Sequence, residues 1–380
     1  MSDVTVIGGG LIGMLTAREL ALAGATVTLL ERRTAGREAS WAGGGILSPL
    51  YPWRYPAAVS RLARWSQACY PTLAGELLAH TGIDPEYQAC GLLLLDQDEN
   101  AQALGWAGQW GYELSHAGEA ELRELEPRLN PAFSRSQWWP TLGQIRNPRL
   151  LQALASRLAQ LKVKVVEHCE VRGLRTQAGR LAGLDTTQGP RSTALAVVAG
   201  GAWAAEILRP AGACLPVRPV RGQMLLFSGP PDLLRHIVLY NGRYLVPRRD
   251  GRVLAGSTVE EVGFDKSTTP TALADLRRAA CELIPALESL PIEHHWAGLR
   301  PGSPQGVPFI GPCPGVQGLY VNAGHFRNGV VTGPASARLL ADMILKRPPI
   351  LDPAAYRPPA AHATAKGAKH AKGEWCEPDT

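Results

Sequence analysis

With 380 residues, 45% of them hydrophobic and 19% charged, the chain is long enough for two domains or for one large domain with an insertion, and it can bury a substantial core. A net charge of +6 with no dense Lys/Arg run ahead of the last residues argues against a nucleic-acid partner and leaves a mildly basic face suited to a small anion. Seven scattered cysteines without a C-x-x-C pair, a start that is not signal-like and the lack of a long apolar run argue against disulfides, zinc and stable membrane insertion, so a cytoplasmic protein is expected.

The first segment, "VTVI" (4–7), is β-branched and apolar, as a buried parallel strand should be. "LIGMLTARELALAG" (11–24) then has helical spacing and stops at Gly24, and "TVTLLE" (26–31) reads as a second strand. The β-α-β unit places Gly8-x-Gly10-x-x-Gly13 at its first turn. Gly8 suits the tight turn, Gly10 the approach of a pyrophosphate, and Gly13 the close packing of helix on strand. The helix start offers free N–H groups and a positive dipole end to phosphates. Glu31, 18 residues after Gly13, is placed to accept ribose hydroxyls. In register, these parts predict a bound dinucleotide.

An acid after the second strand fits NAD or FAD, so the rest of the chain must decide. "EASWAGGGILSPL" (38–50) adds Gly43, Gly44 and Gly45, a second stretch of bare backbone able to lie against a flat or charged ligand. "RLLQALASRLAQLKVKVVEHCEVRGL" (149–174) reads as a helix and then a strand, and "ALAVVAGGAW" (194–203) as a buried strand ending at Gly200 and Gly201. "RGQMLLFSG", "RYLVPRRDGRVLAGST" and "HHWAGLRPG" are short β-rich runs, with a hairpin expected at Asp250-Gly251. Near the end, "GLYVNAGHFRNGVVTGPASARLLADMIL" (318–345) predicts a strand over 319–322, a Gly/Asn loop and a helix from about 330. That helix start could stabilise negative charge on the edge of a reduced flavin. Nicotinamide proteins seldom bring the far end of the chain back to the first nucleotide site. The Pro/Ala/Lys/Gly-rich stretch after it, in which Lys366, Lys369 and Lys372 balance Glu374, Glu377 and Asp379, predicts a disordered tail.

These segments, with "WAGLRPGSPQGVPFIGP" and "AGHFRNGVVTGPA", run in family order over roughly residues 3–346. The chain therefore resembles the D-amino-acid-oxidase-type family of FAD-dependent oxidoreductases, most closely its glycine-oxidase branch linked to thiamine biosynthesis. The resemblance implies an α/β fold with a Rossmann-like FAD-binding domain interleaved with an α+β substrate domain on a mixed, mostly antiparallel sheet. The expected FAD domain is discontinuous, over 1–80, 145–215 and 300–346. Residues 81–144 and 216–299 would form the substrate domain, and 347–380 the tail. FAD would be held by Gly8, Gly10, Ile12, Gly13, Glu31 and Arg32 at the first turn. Ser40, Gly44, Gly45 and Ile46 would follow, then Val171, Gly200, Gly201 and Trp203, and finally Arg327, Asn328, Gly329 and Val330. Some sarcosine oxidases of the wider family attach flavin through cysteine, but Cys313 in "GPCPG" does not match that pattern, so FAD is expected to be non-covalent.

An amino-acid oxidase needs no nucleophile, because hydride can pass from the α-carbon of a neutral amine to the flavin. The protein must supply a carboxylate anchor, orientation and a dry pocket. Arginine suits the anchor, since its planar fork meets a carboxylate with two parallel hydrogen bonds. The family's carboxylate-binding arginine falls on Arg300; the alternative is an inward arginine paired with an acid. Tyr244 matches the family's substrate-hydroxyl tyrosine, and its alternative is a core aromatic. Arg327 could hold substrate, shield the flavin edge or make a structural salt bridge. His325 reads as a loop histidine bonded to backbone, and His294-His295 lacks metal-ligand spacing, so no metal is assigned. In the pocket wall Gly242 replaces a histidine, and Val259 and Ile46 each replace a methionine. Those changes leave the preference among glycine, sarcosine and small D-amino acids open.

The implied reaction is oxidative deamination to the imine and 2-oxo acid with O2 reduced to H2O2, the imine feeding thiazole synthesis. A quinone-linked D-amino-acid dehydrogenase is the main alternative. The tRNA-modifying oxidases of this fold carry a methyltransferase module that this sequence does not show. The expected partners are a small amino acid and O2, with no nucleic acid, in a homo-oligomer.

Overall fold

The computed structural model describes residues 3–96 and 98–360; the balanced charges expected in the tail at 366–379 lie outside the described residues. The first strand, Asp3–Ile7, lies inside a six-stranded sheet. Its strand order is Phe309–Pro312, Leu319–Ala323, Ala196–Val198, Asp3–Ile7, Thr26–Leu30, Lys164–Val166. Every pairing is parallel except that of the edge strand Phe309–Pro312. Both faces are covered, which is why these strands read as continuous apolar runs rather than alternating ones. Val4, Val6, Val27 and Leu29 pack under the helices Leu11–Leu22, Ala57–Thr81, Asn147–Gln160 and Gly329–Ile344. Ile7, Leu30 and Val198 point the other way, onto a three-stranded meander formed by Val171–Gln177, Arg180–Thr186 and Gly189–Ser192.

The helix Leu11–Leu22 begins directly after Gly10 and ends before Gly24, whose φ of +86° only glycine adopts at low cost. A Cβ at Gly13 would lie 1.9 Å from the carbonyl oxygen of Gly8, so only glycine allows the helix to sit this close to the strand end.

A second sheet has eight strands in the order Ile292–Gly302, Arg218–Phe227, Val253–Gly256, Arg243–Pro247, Ile237–Tyr240, Leu92–Leu94, Ser136–Trp139, Ser115–Ala117. It is antiparallel throughout except where Ile237–Tyr240 meets Leu92–Leu94. The fold class implied by the resemblance therefore stands, with the Asp250-Gly251 hairpin joining Arg243–Pro247 to Val253–Gly256. Helix Pro270–Leu283, capped by Thr269, packs on one face through Leu276, Ala280 and Leu283. The opposite face carries Met224, Leu239 and Tyr244, and it is this face that meets the glycine-rich loop of the first sheet.

The expected disorder from residue 347 is corrected for residues 347–360. Tyr356 is 1% exposed and its hydroxyl donates to the carbonyl of Ala58 at 2.8 Å. One buried aromatic fixes a segment whose composition, averaged over its length, reads as having little to bury.

Candidate active site

The turn after Asp3–Ile7 builds the first half of the site. Gly8 has φ +111°, and a Cβ there would lie 2.4 Å from the carbonyl oxygen of Ala199, so only glycine fits. Glu31 ends the second strand and accepts from the backbone N–H of Gly9 at 2.8 Å and of Arg33 at 2.9 Å. A carboxylate has about four acceptor positions, so two remain for a ligand. Ser40 Oγ accepts from the N–H of Leu11 at 2.9 Å and closes one side of the helix start.

These groups open into a cavity of about 470 Å3, within the usual range for ligand sites. Gly8, Gly10, Ile12, Glu31, Arg32 and Ser40 border it, as do Val171, Gly200, Gly201 and Trp203, and, at its other end, Arg327, Gly329 and Val330. Gly13 does not; it lies at the helix–strand contact. The Arg32 guanidinium lies 3.5 Å over the Trp203 ring and forms one wall. Gly44, Gly45, Ile46 and Asn328 border a second cavity, of about 80 Å3. Ala39, Gly43, Arg300, Arg327 and Val330 line both, so the two are contiguous.

The dinucleotide fits this shape on two counts. The glycine cradle leaves backbone bare where phosphates would approach. At the junction of the cavities, Arg327 Nη2 and Asn328 Nδ2 are buried donors without a partner, which suits the acceptor-rich edge of a flavin ring. Both sit at the start of the helix Gly329–Ile344.

The small cavity is built mainly by the second sheet. Arg300 stands opposite Val220 across the pairing of Ile292–Gly302 with Arg218–Phe227. Its Nη2 donates to Ser257 Oγ at 2.7 Å, and its Nη1 to the carbonyls of Thr258 at 3.0 Å and Arg221 at 3.3 Å. All three partners are neutral, so the acid-paired alternative does not describe this residue. Burial, reinforced by the charge of Arg327, pulls its guanidinium down to about 10. A Cβ at Gly222 would lie 2.2 Å from both terminal nitrogens, so the bare backbone of the neighbouring strand is what lets the guanidinium lie there.

Tyr244 is buried and gives its hydroxyl only to the sulfur of Met224 at 3.4 Å, a weak acceptor. Added Cβ atoms would meet its ring at 2.9 Å from Gly44 and 2.6 Å from Gly256. Arg248 holds the glycine loop from below, donating to the carbonyl of Gly44 at 2.9 Å. Arg243 Nη1 reaches the carbonyl of Ser257 at 2.6 Å, and burial lowers its pKa. Among the described residues, no acidic side chain lines the small cavity.

Arg300, Tyr244, Arg327 and Ile46 thus come together around one space. Gly242 and Val259 do not border it, contrary to the pocket wall expected from the resemblance. Gly242 is at the tip of the turn before Arg243–Pro247, where a Cβ would meet only open space, and Val259 is 43% exposed. Matching a position along the chain does not fix the direction of its side chain at a turn. His325 is corrected in detail: its ring bonds side chains, Asn322 Oδ1 and Thr332 Oγ1, each at 3.0 Å. Burial takes its pKa down to about 3, so it cannot serve as a protonated acid near neutral pH. His295 Nε2 meets Gln223 Oε1 at 3.0 Å, and among the described residues no cluster of three metal-ligating side chains occurs. Cys313 borders neither cavity, and burial pushes its thiol up to about 11.

Gly222, Met224, Ser257 and Arg248 escaped the sequence reading. A glycine inside the apolar strand "VRGQM" was the available signal for the first, since such a glycine often marks close approach. Among the described residues, no helix is long and apolar enough to cross a membrane.

Known proteins resemble this chain over nearly its whole length. Residues 3–343 match the model of the FAD dependent oxidoreductase family, DAO. The chain is 50% identical over 356 residues to a glycine oxidase of Pseudomonas aeruginosa, covering 93% of this chain and 98% of that one. It is 32% identical to the bifunctional protein ThiO/ThiG of a Nostoc species, covering 91% of this chain and 53% of the relative. The crystal structure of glycine oxidase from Geobacillus kaustophilus superimposes with a TM-score of 0.88 at 32% identity, over 94% of this chain and 99% of that one.

Proposed function

The chain belongs to the DAO family of FAD-dependent oxidoreductases, and from that premise we propose that it oxidises glycine and similarly small amines, with O2 as electron acceptor. The observation that carries the reading is Arg300: a half-buried cation with neutral partners, facing a small cavity whose described lining holds no acid, beside the space that suits FAD. Supporting it are the likeness to glycine oxidases in sequence and in fold.

FAD, when bound, supplies the two-electron acceptor that O2 later restores. We assign its retention to the glycine turn at Gly8 and Gly10, to Glu31, Arg32, Gly200, Gly201 and Trp203, and at the far end to Arg327, Asn328 and Gly329. On this reading the first sheet, with residues 1–80, 145–215 and 300–346, holds the cofactor, and the second, with 81–144 and 216–299, presents the substrate, except that 300–302 finish the strand Ile292–Gly302 of the second sheet and bring Arg300 to the substrate side.

The substrate carboxylate is placed on Arg300, whose fork offers two charge-assisted hydrogen bonds, with the Tyr244 hydroxyl as a third donor. Size then selects. One water needs roughly 10–15 Å3 on this scale, so a cavity of about 80 Å3 holds only a handful of heavy atoms. Among the described residues, the lining contains no carboxylate or imidazole to take the amine proton. The positive charges of Arg300 and Arg327 instead favour the neutral form of the bound amine, since like charge nearby disfavours an ammonium. Proton removal thus falls to solvent and to the field of the site. Six free cysteines among the described residues support a reducing, cytoplasmic setting. The thiamine-linked branch that the sequence resembles suggests that the imine product is consumed in thiazole synthesis.

Anaerobic bleaching of the bound flavin with glycine, sarcosine, D-alanine and D-proline tests the reading. Reduction by glycine supports it, and reduction by none of the four overturns it. Stoichiometric H2O2 on readmitting air distinguishes an oxidase from a quinone-linked dehydrogenase.

A further inference from the structure

The strand Val253–Gly256 leaves the second sheet into residues 257–269, most of which are exposed. The first two of these residues hold Arg300. Buried Arg221 clamps the next part, pairing with Glu260 at 2.5 Å and with Asp265 at 2.6 Å. From that clamped stretch the segment reaches the other cavity. The Phe264 ring stacks on Trp203 with centroids 5.3 Å apart and planes at 25°, and Lys266 Nζ meets Glu38 Oε2 at 2.9 Å. Trp203 and Glu38 both line the cofactor cavity, and Arg32 bridges them, lying over the Trp203 ring and 3.3 Å from Glu38.

Phe264 is 40% exposed, an unusual place for a large apolar side chain unless its one ring contact matters. Trp203 ends the short turn Gly201–Trp203 and caps the five-residue helix Ala204–Leu208, so its backbone is fixed while its ring is directed towards the cavity wall. On that fixed backbone its ring meets the Arg32 guanidinium and the Phe264 ring, the contacts that bear on which way the ring turns.

We propose that residues 257–267 form a strap from the substrate sheet to the Arg32–Trp203–Glu38 wall, with Phe264 and Lys266 as positioning residues that slow release of FAD. The strap opposes the outward swing of Trp203. Stacking on Trp203 is its main contribution, since an exposed ion pair such as Lys266–Glu38 adds little by itself. The proposal rests on FAD occupying this cavity, and the test separates the two ideas.

Release of FAD from diluted holoenzyme, followed by flavin fluorescence, is compared for the native chain, Phe264→Ala, Lys266→Ala and the double variant. Loss of an aromatic contact predicts release about three- to tenfold faster in Phe264→Ala. Phe264→Trp should restore the native rate, which a general loosening of the fold would not do. The smaller effect of Lys266→Ala should vanish at high salt. A double variant that releases FAD at the native rate overturns the strap. Gly8→Ala serves as the cavity control: unchanged FAD affinity there would overturn the cavity assignment itself, whereas loss of FAD there, with native release in the double variant, refutes the strap alone.

Discussion

Replacing Gly222 by alanine tests whether the placement of Arg300, rather than its mere presence, sets substrate affinity. The new Cβ would lie 2.2 Å from both terminal nitrogens of Arg300 and 2.3 Å from its central carbon. An ordinary contact needs roughly 3.5 Å, so the guanidinium must withdraw by about 1 Å. It is the mobile end of a long side chain and can move at little cost to the fold. That move breaks the bonds to Ser257, Thr258 and Arg221 at 2.7, 3.0 and 3.3 Å that orient the fork. A hydrogen bond to a charged group is worth about 1.5–3 kcal/mol, and a misplacement of about 1 Å can cost a hundredfold in rate. The apparent KM for glycine should therefore rise about 10- to 100-fold, while FAD content and the melting temperature of the holoenzyme stay near those of the native chain. Oxygen uptake against glycine concentration gives KM, and titration with a non-oxidisable carboxylate such as glycolate, read from the flavin spectrum, gives the anion affinity directly. A variant with KM and glycolate affinity within twofold of native would refute the reasoning.

Arg300→Ala removes the anchor altogether and should weaken glycine binding by about 2–5 kcal/mol, as truncating a buried charged partner does; unchanged affinity in the same titration would remove the role. His325 gives a pH dependence of stability. Its folded pKa of about 3 lies below the usual 6.5, so between those values the unfolded chain binds a proton that the folded chain does not. Stability should fall as pH drops below about 6.5, with a slope approaching ~1.4 kcal/mol per pH unit; His325→Gln should flatten that limb of the denaturation profile, and an unaltered limb would contradict the assignment. Cys313 keeps its proton near neutral pH and lies off both cavities, so acid precipitation should leave all the flavin in the supernatant, and yellow colour in the pellet would show a covalent link.

What the sequence revealed of the fold was mostly local. The unit from Asp3 to Leu30 is contiguous and its glycines follow one short motif; Gly13 answers the Gly8 carbonyl five residues away, whereas the constraint on Gly8 itself comes from Ala199 on a distant strand end. The Asp250-Gly251 hairpin is likewise legible as a short motif. The candidate site is assembled from distant stretches: Gly44 and Ile46 from the first loop, Tyr244 and Arg300 from two strands of the second sheet, Arg327 from the last loop. Periodicity alone cannot bring such segments together, and it was the family resemblance that pointed to them. The misplacements share one cause. Gly242 and Val259 sit at or beyond strand ends, where the alternation of faces no longer fixes which way a side chain points. Tyr356 and Phe264 act through single long-range ring or hydroxyl contacts, which leave no pattern in their own surroundings.

The charges around the small cavity connect anchoring to reactivity. Arg243, Arg300 and Arg327 approach one another without an acid in the lining, and for both Arg243 and Arg300 burial and the repulsion of Arg327 lower the pKa. Burying cations without acidic partners is unfavourable, so on the proposed reading a carboxylate bound here would offset that cost. The same field acts on the other end of an amino acid. A positive environment that welcomes the carboxylate destabilises the neighbouring ammonium, and only the neutral amine can give up hydride from its α-carbon. On the proposed reading, one cluster of arginines would both bind the acid end and bias the amine towards its reactive form. On that reading the dual effect accounts for a described lining with no side-chain base, and for the room that Gly222 and Gly256 of the sheet and Gly44 of the first loop leave for one guanidinium and one phenol ring.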